Sequence, residues 1–101
     1  MTIKMSDLEI RDFDPAEFLI DEETIAAYLT ESFKNGDQAE FLAALNNVAR
    51  ARGMTQLAKE TGLPRESLYK SLSGVSKPRF ETIAKISSAL GLKIAFMPKM
   101  A

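Results

Sequence analysis

Gln56-Leu57-Ala58-Lys59-Glu60-Thr61-Gly62-Leu63-Pro64-Arg65-Glu66-Ser67-Leu68-Tyr69-Lys70 is the stretch whose reading decides the fold. It spells a short helix, a tight turn with glycine at the sharp bend, and a second short helix. Ala58 is small where the two helices must approach closely, and Gly62 supplies the positive φ that the turn needs. Leu57, Leu63, Leu68 and Leu72 recur at the spacing that seats both helices on one core. Two short helices held at a fixed angle by such a turn are a helix-turn-helix signature.

In that unit the second helix enters the major groove, and its first turn and outward face meet base edges. Counting from Pro64, those positions are Arg65, Glu66, Tyr69 and Lys70. Arg65 can make a bidentate contact to guanine, Glu66 can accept from a cytosine amino group, and Lys70 can reach guanine or phosphate. Tyr69 either stacks on a backbone sugar or covers the turn. Gln56, Ser67, Ser73, Lys77 and Arg79 are the phosphate candidates around it. The same residues read otherwise are a solvated helix face.

Outward from this segment, Thr55 is placed to cap the first short helix and Pro64 to open the second. Pro78 opens a third, with Ile83, Ile86 and Leu90 on one face and Gly91 at its end. Upstream, Asp37 caps a longer helix with Glu40 three residues on; Arg50 and Arg52 fill its last turn and Gly53 terminates it. Before that, Ile25, Tyr28, Leu29 and Phe33 mark a helix that starts near Asp21 and stops at Gly36. Asp14-Pro15-Ala16-Glu17 opens a short turn, and Met1 to Phe13 reads as an extended arm. At the other end Leu92, Ile94 and Phe96 alternate, which predicts a strand closed by Pro98. A lone strand needs a partner for its backbone groups, either the N-terminal arm or the same strand of a second subunit. The second option predicts a homodimer whose recognition helices lie about 34 Å apart on a palindromic operator.

The expected fold is therefore an all-α, lambda-repressor-like helix-turn-helix bundle with an N-terminal extension and a short C-terminal dimerisation strand. It divides into an acidic extension with the first helix (1–36), the DNA-binding domain (37–91) and the C-terminal strand and tail (92–101). The 101-residue chain carries a net charge of only −1, but the charge is segregated. Eleven acidic and three basic residues up to Glu40 give −8, while three acidic and ten basic residues from Phe41 onward give +7. The basic half is the candidate for nucleic acid. The acidic half suits a second, basic partner, or else keeps the protein soluble.

Several chemistries are excluded or disfavoured. There is no cysteine and no histidine, so thiolate chemistry and the commonest general base and zinc ligand are missing. No glycine-rich phosphate loop or nucleophile–base arrangement is present. The acids Asp21, Glu22 and Glu23 fall at a helix start, where the dipole explains them. No enzyme activity, metal or cofactor is expected. No apolar run approaches the roughly 18 residues of a membrane span, and the acidic N-terminus lacks a signal-peptide stretch; the chain reads as cytoplasmic.

The stretch from Gln56 to Gly74 resembles the repressor/Cro-like (XRE-type) family, although it is one residue shorter at the start and Pro64 replaces the usual capping serine. A fuller resemblance runs through Phe13-Asp14, Tyr28-Leu29, Gly36-Asp37, Ala44-Leu45, Ala49-Arg50-Ala51-Arg52-Gly53-Met54, Leu57-Ala58, Gly62-Leu63, Leu68-Tyr69-Lys70, Leu72-Ser73, Pro78-x-Phe80-x-Thr82 and Ala89-Leu90-Gly91-Leu92. These are similar to the putative addiction-module antidote family, a HigA-like antitoxin group. The resemblance implies an antitoxin that binds a small basic toxin of the RelE/ParE superfamily and represses its own operon as a dimer. Ser76-Lys77 stands where the family often has Gly-Asn. Leu8, Ile10, Phe13, Phe18 and Leu19, set among the acids, are the candidate toxin-binding anchors, or staples of the arm onto its own core. A stand-alone phage-type repressor with no protein partner, and an interaction module that has lost DNA binding, are the competing readings.

Overall fold

The computed structural model describes residues 21–100. They form five helices: α1 (Glu22–Ser32), α2 (Gln38–Arg52), α3 (Met54–Thr61), α4 (Arg65–Leu72) and α5 (Phe80–Ala89). Two aspartates start the first two. The Thr24 N–H donates to Asp21 Oδ1 at 2.7 Å. The N–H groups of Ala39 and Glu40 donate to Asp37 Oδ1 at 3.0 and 3.3 Å. Each bond satisfies an N–H that the helix itself leaves without an acceptor. Asp37→Ala is expected to cost about 1 kcal/mol of stability, measured by urea denaturation. The Asp21 carboxyl lies below its ordinary pKa of 3.8, chiefly because it accepts the Thr24 backbone N–H. A lowered folded-state pKa means that this cap stabilises fully above the unfolded value and is lost as acid titrates through the folded one. Helicity should therefore fall at acid pH by less in Asp21→Asn than in the parent chain.

The sharp bend between α2 and α3 is made by Gly53 alone, with φ +100°; its N–H donates to Ala49 O and its carbonyl accepts from Leu57 N–H. A left-handed φ of this kind favours glycine. Because the chain bends there, α3 begins at Met54, and Thr55 is a helical residue rather than the expected cap. Gly62, with φ +75°, closes α3 as the sequence predicts. Pro64 is the N-cap of α4 instead of its first helical residue, and α5 starts at Phe80 with Arg79 as N-cap, two residues after Pro78.

The core gathers one face from every helix. Leu45, Val48 and Ala49 of α2, Leu57 of α3, Leu68 of α4 and Ile86 of α5 are fully buried, as is Leu90. Helix α3 sits at the centre, packed on α2, α4 and α5, while α1 packs on α2 through Ile25 and Leu29. Beside that contact the Phe33 and Phe41 rings meet edge to face at 5.1 Å. Tyr28 lies at the rim, its hydroxyl accepting from Asn47 Nδ2 at 2.9 Å. Arg52 locks the bundle: Nη1 donates to Ala89 O at 3.0 Å and lies 3.5 Å from Glu60.

The C-terminal strand is a correction. Among the described residues there is no strand, and the segment from Leu92 onward has no regular structure. At the end of α5, Gly91 N–H donates to Ser88 O and Leu92 N–H to Ser87 O. These two bonds form a Schellman motif. Leu92 thus spends its N–H on capping a helix and half-buries its side chain, while Ile94 and Phe96 stay exposed. No neighbouring strand among the described residues offers the ladder that alternation alone cannot supply.

Candidate nucleic-acid interface

Two eight-residue helices, α3 and α4, joined through Gly62, Leu63 and Pro64, form the candidate interface. Helix α4 is held by its inner face: Leu68 and Leu72 are buried, and Leu63 packs against the same cluster from the turn. With that face committed, the helix period turns Arg65, Glu66, Ser67, Tyr69 and Lys70 outward, and all five are exposed. The four residues expected to read bases thus share one rigid, solvent-facing surface.

Arg65 and Tyr69, four apart, act as a pair. Arg65 Nη2 donates to the Tyr69 hydroxyl at 3.3 Å, and its guanidinium carbon lies 5.8 Å from the ring centroid. The ring therefore orients the guanidinium, which is the useful part of a bidentate donor. Tyr69 thus has a partner on its own helix. Glu66, Lys70, Lys77 and Arg79 make no ion pair with another described residue, so their charges face solvent.

The phosphate candidates divide. Gln56 is exposed in the first turn of α3, Ser67 is exposed on α4, and Lys77 and Arg79 are exposed in the connection between α4 and α5. Ser73 has a local task instead. Its hydroxyl donates to Lys70 O at 2.9 Å and accepts from Val75 N–H at 3.3 Å, closing the end of α4. These bonds shape the start of the connection that carries Lys77 and Arg79. The anchors Leu8, Ile10, Phe13, Phe18 and Leu19, together with the Asp14–Glu17 helix start and the Met1–Phe13 arm, lie outside the described residues.

The sequence reading missed a second surface. A groove of about 910 Å³ runs between α1, the start of α2, α5 and the C-terminal segment, with Leu29, Phe33, Phe41, Phe80, Leu92 and Phe96 among its walls. Phe80 is 70% and Phe96 96% exposed, and with Phe33 and Phe41 they border one groove rather than standing as scattered single residues. Phe33, Phe80 and Phe96 belong to three separate segments and share no period, so no spacing in the sequence marks this groove. No helix among the described residues is long and apolar enough to cross a membrane.

Residues 9–98 match the family described as "Probable addiction module antidote protein". The chain is also 45% identical over 85 residues to an uncharacterized protein of Haemophilus influenzae (strain Rd), covering 84% of this chain and 88% of that one. No solved structure matches the chain.

Proposed function

The chain belongs to the family of probable addiction module antidote proteins, and on that premise we propose that it is the antitoxin of a type II toxin–antitoxin module that also represses its own operon. The family implies a toxin partner. The finer reading is that the partner is a small basic RelE/ParE-like protein, masked by the acidic N-terminal half. Residues 21–40 carry six acidic side chains and one basic one, a surface that steers a cationic partner toward it and away from like charge. Leu8, Ile10, Phe13, Phe18 and Leu19 would supply the apolar anchors.

DNA binding rests on one observation: Arg65, Glu66, Tyr69 and Lys70 stand on one exposed face of a helix whose opposite face is buried through Leu68 and Leu72. With α3 as the positioning helix, α4 enters the major groove, and Lys77 and Arg79 flank the phosphate backbone. Two copies bind a palindromic operator with half-site centres about 34 Å apart. Lys77→Ala is expected to weaken binding to all sequences alike and to flatten the salt dependence by about one unit of log–log slope; fluorescence anisotropy over a salt series checks this. A loss confined to one base pair would make Lys77 a base reader.

The deciding experiment is purification of the tagged chain from its native host, with the co-purifying species weighed by mass spectrometry. A small basic protein together with promoter DNA is the expected result. Promoter DNA without any protein partner would replace this reading with that of a stand-alone phage-type repressor.

A further inference from the structure

The apolar groove between α1, α5 and the C-terminal segment has no occupant among the described residues, and we propose that it is the seat of this chain's own N-terminal segment, residues 1–20, in the free protein. Three observations converge on that occupant. The first is where the segment ends. It joins Asp21, the N-cap of α1, and the next two residues, Glu22 and Glu23, already line the groove. At ~3.3–3.6 Å per extended residue, the eight steps from Phe13 to Asp21 reach up to about 26–29 Å. The segment therefore needs no excursion to lie along it.

The second observation is chemical. Residues 1–20 carry Leu8, Ile10, Phe13, Phe18, Leu19 and Ile20, a set of apolar side chains matched to walls built from Leu29, Phe33, Phe41, Phe80 and Leu92. The third is the tether: a covalently attached segment acts at an effective concentration on the order of millimolar, which favours it over a second copy of the chain at ordinary protein concentration.

The consequence is that the same apolar side chains offered to a toxin are covered while no toxin is present. This goes beyond the antidote reading, and its test needs neither toxin nor operator, so the two can fail separately.

The chain has no cysteine, so a nitroxide attached at Lys93→Cys, or on the opposite wall at Thr30→Cys, marks the groove of the full-length protein at one point. In the ¹⁵N-labelled chain, amide signals of residues 8–20 are expected to broaden from both positions. Phe13→Asp combined with Phe18→Asp should abolish the broadening and raise the binding of an apolar dye several-fold. Sharp signals for residues 8–20 with both labels would overturn the proposal. So would broadening that appears only when spin-labelled and ¹⁵N-labelled chains are mixed, because the occupant would then belong to a second copy.

Discussion

Leu57→Ala is expected to lower the stability of the chain by about 2–5 kcal/mol. Leu57 is fully buried in the central helix α3 and belongs to the cluster that holds Leu45, Val48, Leu68 and Ile86. Truncation removes transfer energy and leaves a cavity that four packed helices cannot easily collapse. Small domains are stable by only about 5–15 kcal/mol, so this single change consumes a large part of the total. Urea denaturation should show a lower midpoint with an unchanged slope. Leu63→Ala, at the half-buried turn position, should cost visibly less. A Leu57→Ala loss below about 0.5 kcal/mol, within the range of surface substitutions, would contradict the central place of α3.

Arg65→Ala is expected to weaken operator binding by about 1–3 kcal/mol and to relax specificity at one base pair. The fold should survive. The Arg65–Tyr69 contact is exposed, and exposed cation–π pairs contribute only about 0.5–1 kcal/mol. Affinity and stability therefore separate the functional role from the structural one. Tyr69→Ala should reproduce part of the affinity loss by freeing the guanidinium, whereas Tyr69→Phe keeps the ring and should lose less. A competition assay over single-base operator variants decides the matter. A uniform loss across all variants would make Arg65 a phosphate contact.

These two predictions stand on adjacent helices and exploit opposite faces of the same unit. Leu57 and Leu68 hold α3 and α4 at their angle, and that angle presents Arg65, Glu66, Tyr69 and Lys70 together. Under the proposed DNA-binding role, stability and recognition are coupled through packing: a core variant should lose affinity only as far as it loses folded protein, while a surface variant should lose it and remain folded.

Much of this was legible along the chain because it depends on local physics. Asp21 and Asp37 cap helices because a short carboxylate can reach backbone N–H groups two or three residues on. Gly53 and Gly62 end helices because their positive φ suits glycine. The apolar period that marks α2 through α5 is the same period that buries Leu45, Leu57, Leu68 and Ile86. The charged face of α4 follows from it by elimination.

Other features turn on hydrogen bonds that residue spacing does not mark, whether the partner is near or far along the chain. Alternation of Leu92, Ile94 and Phe96 satisfies the pattern of a strand, yet Leu92 N–H is taken by Ser87 O and the segment stays irregular. Ser73, a phosphate candidate, has local bonds that the spacing did not mark: its hydroxyl closes the end of its own helix. Arg52 reads in sequence only as a residue of its helix's last turn; the fold makes it a clamp between Glu60 and Ala89 O.

The sequence by itself determined the helices, the aspartate caps of α1 and α2, the outward face of α4 and the segregation of acidic from basic residues, because each is written in neighbours within about one or two helical turns or in the residue types themselves. Only the tertiary structure decided that Arg52 joins three helices and that Phe33, Phe80 and Phe96 line one groove. Those depend on side-chain rotamers and on segments brought together by packing of the core, and neither spacing nor composition encodes such a meeting.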